Sequence, residues 1–85
     1  YIEAYGDYSK IHSADAVFIS NHGISVLEEK LSPKDFLRIH RSTIVHLPKI
    51  EEVNRYGKSY LIKLLNQTEL KVSRGYADKI KALIY

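Results

Sequence analysis

No apolar pattern in this chain runs far before a turn residue stops it, and that points to a fold of short strands. Tyr1–Tyr5 and Tyr8–His12 read as two strands joined at Gly6-Asp7, a tight hairpin signal. Val17–Ser20 is a third, ended by Asn21-His22-Gly23. Lys49–Asn54 and Ser59–Leu65 flank Arg55–Lys58, where Gly57 can supply the positive φ of a turn. Asn66-Gln67 then turns the chain into a last strand, Thr68–Ser73. Tyr60, Ile62 and Leu64 make one face of Ser59–Leu65 apolar. Leu61 and Leu65 do the same for the other, broken only by Lys63, which predicts a central strand covered on both sides.

Two segments change period. Ile24, Leu27 and Leu31 fall at i, i+3 and i+7, one stripe of a short amphipathic helix. Two starts compete for it: Ser25 with Glu28 has capping-box spacing, whereas the place of Ile24 on the stripe favours a start at Gly23. A C-terminal helix is predicted over roughly Gly75 to Leu83, with Ser73 as its N-cap. Tyr76, Ala77, Ile80, Leu83 and Ile84 line one side of it, and Asp78, Lys79 and Lys81 the other. Between the helices, Ser32-Pro33 opens a short turn and Phe36–His40 has strand character. Ser42–His46 fits a strand or a single helical turn equally well. The expected fold is mostly β with a little α: antiparallel β-sheets, one short internal helix and a C-terminal helix.

Composition narrows the classes. The 85 residues make one domain with a modest core. With no cysteine, neither a disulfide framework nor a thiolate zinc site is available, which fits a reducing cytoplasm. No apolar run is long enough to span a bilayer, and no signal peptide is visible. The chain opens at Tyr1 on a strand already under way, so it reads as a piece from which upstream sequence has been cut. A formal charge of +3 favours nucleic acid only slightly. Placement says more than the sum: Glu28, Glu29, Glu51 and Glu52 hold acid, while Arg38, His40 and Arg41 form a basic knot. Lys71, Arg74, Lys79 and Lys81 form another.

Two constellations could carry chemistry. In Phe36–Ser42 an alternating strand ends at Arg41 and Ser42. The plain reading is an edge strand with solvated polar side chains, and composition alone favours it. The functional reading lets Arg41 grip guanine O6 and N7 in a groove and lets Ser42 meet a phosphate oxygen. In Val72–Tyr76 a strand gives way to a helix with Arg74 in its first turn. A cation is poorly placed there for helix stability, which argues for a ligand; the alternative is an arginine bonded to a neighbouring loop.

Other chemistries fare worse. His12, His22, His40 and His46 show no compact ligand pair, so no metal is expected. Ser42 and His40 lack nucleophile-elbow glycines and an orienting acid, and no phosphate-cradling loop exists, so an enzyme is the weakest class. Tyr5, Tyr8 and Tyr56 lie near turns and could stack single-stranded bases, whereas Tyr60 and Tyr76 fall on apolar stripes. A protein-interaction module pairing through an exposed edge strand is the alternative from another class.

Tyr1-Ile2-Glu3-Ala4, then Phe36-x-Arg38-x-His40-Arg41-Ser42-x-x-Val45, then Ile50, then Val72-Ser73-Arg74-x-Tyr76 resembles the LytTR DNA-binding domain across essentially the whole chain. The resemblance implies an elongated β fold, the cytoplasmic C-terminal output domain of a bacterial response regulator, without enzymatic activity, cofactor or membrane segment. It implies loop residues in successive major grooves of a bent duplex, repeated half-sites, a dimer on DNA and an upstream receiver domain. Base reading falls on Arg41 and Arg74, and on the stretch around Tyr8, Ser9 and Lys10. Ser42 and His40 would meet phosphate, with Lys58, Lys71 and Lys79 as further backbone contacts by charge. Two departures stand out: His46 replaces the family's usual asparagine, and the strand that normally precedes Tyr1-Ile2-Glu3-Ala4 is missing, which would expose an edge.

Overall fold

The computed structural model describes residues 1–84, with the side chain of Ile84 outside the described set. Turn chemistry builds its first layer. β1 (Ile2–Tyr5) and β2 (Tyr8–His12) pair antiparallel with Tyr5 opposite Tyr8. Gly6 closes that hairpin at φ 61°, a left-handed value that costs glycine nothing. β3 (Val17–Ser20) folds back onto β2. The chain then enters α1 (Ile24–Lys30), whose N-cap is Gly23. The earlier of the two starts is taken because Ile24 and Leu27 are both buried. The Ser25 hydroxyl serves elsewhere, accepting a bond from Arg38 at 3.1 Å.

β4 (Phe36–His40) and β5 (Thr43–His46) form the next hairpin, so the undecided Ser42–His46 stretch is a strand. A 3-10 turn at Leu47–Lys49 leads into β6 (Ile50–Tyr56), then β7 (Ser59–Leu64) and β8 (Glu69–Lys71). The strands make two antiparallel sheets, ordered β3-β2-β1-β5-β4 and β6-β7-β8. The longest dimension is 34 Å against 25 and 22 Å.

Three expectations need correction. The last strand is shorter than Thr68–Ser73, and the final helix starts later. A 3-10 turn spans Arg74–Tyr76 and α2 runs over Ala77–Ile84. Ser73 makes no side-chain capping bond; its backbone N–H goes instead to the Ile39 carbonyl at 2.8 Å. Ala77 and Ile80 bury the first part of the α2 stripe, whereas Leu83 is exposed.

The doubly covered strand is also a different one. β7 is central in its sheet and buries Tyr60, Ile62 and Leu64, but Leu61 and Lys63 keep partial exposure. On β5 the consecutive residues Ile44 and Val45 are both buried, one in each of two clusters. The larger cluster joins Ile39 and Val45 to Tyr60, Ile62, Leu64, Val72, Ala77 and Ile80, fastening the two sheets and α2 together. The smaller one sets Ile24 and Leu27 of α1 on Ile2 and Ile44. Each such fully buried aliphatic side chain contributes roughly 1.5–3 kcal/mol.

The third correction concerns the open edge. β1 lies inside its sheet, paired with β2 and β5, so the free edges of the first sheet are β3 and β4. β3 is the apolar one, with Val17, Phe18 and Ile19 all more than half exposed.

Candidate nucleic-acid interface

Strand pairing brings several turns to one end of the molecule. The Ala4 N–H donates to the Ser42 carbonyl at 2.8 Å, so the β1–β2 and β4–β5 turns leave the first sheet side by side. Ser20 pairs with Ser9, which adds Asn21 and His22 to the same end. The Ser73–Ile39 bond ties the Arg74 turn to the end of β4. The Ser59 hydroxyl donates to the Val72 carbonyl at 2.6 Å, adding the Arg55–Lys58 turn. The result is a rim that carries the exposed side chains of Arg41, Arg55, Lys58, Lys71 and Arg74.

Strand direction sorts the charges as well. Asp15, Asp35, Glu51, Glu52 and Glu69 are exposed at the opposite ends of their strands. Asp7 is an acidic exception on the rim, and Lys30, Lys34, Lys49 and the partly exposed Lys63 are basic exceptions toward the far end. Such a separation gives the rim a positive field that attracts an extended anion.

A β-bulge shapes the centre of the rim. Arg38 pairs with Ile44 and His40 with Thr43, so Ile39 is the extra residue. Its side chain is fully buried, and its freed carbonyl takes the Ser73 N–H. Arg41 and Arg74, far apart in sequence, therefore flank one hydrogen bond. Arg41 is exposed. Arg38, its neighbour in the basic knot, is not part of the rim's free surface: its guanidinium donates to Glu28 at 3.0 Å, to Ser25, and to the backbone carbonyls of His40 and Arg41.

His40 and Ser42 form a unit. The Ser42 N–H donates to His40 Nδ1 at 3.1 Å, and a backbone N–H can only donate, so Nδ1 is the acceptor and the ring proton is on Nε2. The Ser42 hydroxyl, 2.8 Å from the same nitrogen, then spends its own proton there. The group left to donate outward is His40 Nε2–H. Ser42, expected at a phosphate, has its hydroxyl against the His40 ring.

The remaining expected residues divide. Ser9 is corrected: it has no exposure, and its hydroxyl donates to the His22 carbonyl at 2.9 Å, so it anchors the 20–23 loop and cannot reach a base. Lys10 points to the other face of β2 and lies over the Tyr5 ring at 4.2 Å, near the rim. Lys71 approaches the Tyr56 ring. Lys79 leans over Tyr76 and lines a cleft with Glu28, Phe36 and Arg38 along the β4 edge, apart from the rim. Arg55 was missed by the sequence reading. Its charge was visible, but only its pairing opposite Tyr60 puts it at the basic end. His46, the departure from the family pattern, stacks on Phe36 with ring centroids 4.6 Å apart.

Fold and rim together define a class, a two-sheet domain that offers guanidinium and ammonium groups on turns to an extended polyanion. The LytTr DNA-binding domain family matches residues 1–85, and the chain belongs to that family. It is 29% identical over 84 residues to the transcriptional regulatory protein LytR of Staphylococcus aureus (strain N315), covering 98% of this chain and 34% of that protein. It is 33% identical over 81 residues to the heme-containing CO-sensing transcriptional regulator RcoM 2 of Paraburkholderia xenovorans, covering 93% of this chain and 30% of that protein. The chain thus spans about a third of the length of the curated relatives it matches. In fold it resembles the LytTr DNA-binding domain of a putative methyl-accepting/DNA response regulator from Bacillus cereus. That likeness has a TM-score of 0.90 at 23% identity, over 98% of this chain and 77% of the other.

Proposed function

We propose that this chain binds double-stranded DNA sequence-specifically for a bacterial transcription regulator of the cytoplasm, reading base edges in the major groove with Arg41 and Arg74. The observation that carries the proposal is the charge sorting along the strands, with both arginines exposed beside the single Ser73–Ile39 bond. A guanidinium presents the two-pronged donor set that guanine O6 and N7 accept. Lys10 extends the reading surface toward the β1–β2 turn. His40 Nε2–H, Lys58 and Lys71 meet phosphates, with Arg55 beside them, and Ser42 acts by holding the His40 ring. An upstream receiver domain in a longer protein and paired copies on repeated half-sites belong to the same proposal; the chain's coverage of about a third of its relatives' length leaves room for such a domain.

Selection of bound duplexes from a random pool supplies the target. Arg41→Ala and Arg74→Ala should then each lose roughly 1–3 kcal/mol of discrimination at one base pair. If both variants keep full preference for the selected site, the reading fails. Competition with single-stranded DNA checks the stacking alternative, because a tyrosine platform prefers the single strand.

The edge of β3 favours a second reading. Val17, Phe18 and Ile19 are 54%, 57% and 56% exposed on a free strand that carries no charge to guard it. Pairing of that edge with a partner chain would be abolished by Ile19→Lys, with binding of a single half-site retained.

A further inference from the structure

Arg38 belongs to the basic knot of the sequence, yet its position suits a different task from that of Arg41. Its side chain is 11% exposed. Two of its contacts, Ser25 and Glu28, are on α1. The other two are the carbonyls of His40 and Arg41, the backbone of the turn that presents Arg41. The Arg41 carbonyl lies outside the strand pairing, so its direction depends on the donor that reaches it, while the His40 carbonyl belongs to the last paired residue of β4. Only a planar fork of several N–H groups can bridge a carboxylate, a hydroxyl and two carbonyls at once.

We infer that Arg38 is a positioning residue that holds the turn 40–42 against α1 and thereby sets the direction in which Arg41 leaves the domain. This rests on the reading of Arg41 as a base contact. Glu28 and Ser25 are then part of the specificity apparatus although neither belongs to the rim. Contact with DNA by Arg38 itself is disfavoured, because four of its five N–H donors are engaged inside the protein. The Ile39 bulge works in the same direction, since it turns the strand where the clamp acts.

Arg38→Lys in the 85-residue chain tests the inference, because it keeps the charge and removes the fork. Two quantities are measured: the affinity ratio between the selected duplex and one altered at the base pair read by Arg41, and hydrogen exchange of the Ser42 N–H. The ratio should fall about tenfold, within the range expected for a lost base contact. Ser42 exchange should quicken, while the salt dependence of binding stays that of the native chain. Adding Arg41→Ala to this variant should then cost far less discrimination than it does in the native chain. Glu28→Gln, which leaves the fork in place, should shift both quantities the same way by less, and it serves where Arg38→Lys does not fold.

An unchanged ratio in Arg38→Lys, beside a lost ratio in Arg41→Ala, overturns the inference. So does a salt slope reduced by about one in Arg38→Met, which removes the charge and would mark Arg38 as a phosphate contact. If Arg41→Ala itself loses no discrimination, the base-reading proposal is what fails. The clamp then stands or falls on Ser42 exchange alone.

Discussion

Arg38 and Arg41 stand three residues apart, on one strand and the turn it enters, and their surroundings divide them. The first has spent its donors on α1 and on two carbonyls of the turn. The second is exposed on the rim, and no side-chain hydrogen bond holds it among the described residues. A guanidinium with its donors engaged contributes to the fold and little to a ligand. One left in water contributes little to stability and is free to desolvate against an anion or a base edge. Residue type and local spacing are the same for both; the difference comes from the segments that pack beside them.

The largest expected effect comes from removing what separates the pair. Ile39→Ala empties a fully buried site at the bulge and should cost about 2–5 kcal/mol in urea unfolding. A loss under about 1 kcal/mol would mean that the bulge is not held by packing. Next, Arg38→Met should destabilise by about 1–2 kcal/mol, kept modest because Glu28 remains partly in water. Arg41→Met should stay within about 0.5 kcal/mol in the same urea unfolding; equal losses would erase the contrast. Ser9→Ala should cost about 1 kcal/mol by leaving the His22 carbonyl without its donor. It should leave base preference at the Arg41 position unchanged, and a relaxed preference at full stability would restore Ser9 as a reader. The smallest expected effect is that of Lys58→Ala, which should weaken all duplexes alike and lower the salt slope by about one.

Much of this was open to local reasoning. The Gly6-Asp7 and Gly57 turns, with glycine φ values of 61° and 62°, form where turn residues predict them, because a tight turn is a property of the residues inside it. The α1 stripe was legible for the same reason. The coverage of β7 was over-read, because an apolar pattern reports what a strand could bury and not what is built against it. Ser9 was misplaced because a small hydroxyl is equally at home on a surface and in a core. Its burial comes from the strand and loop that close over it.

The sequence by itself determined most of the strands, their glycine turns, the buried stripe of α1 and, through its motifs, the family. These depend on neighbours in the chain. Tertiary structure alone decided that basic residues gather at one end of the strands, that Ile39 meets Ser73, and that Arg38 turns inward while Arg41 stays free. Those outcomes rest on pairings between residues distant in sequence. Strand order and direction are fixed when the two sheets and α1 close on their shared cores, and only then does a charge acquire a position in space.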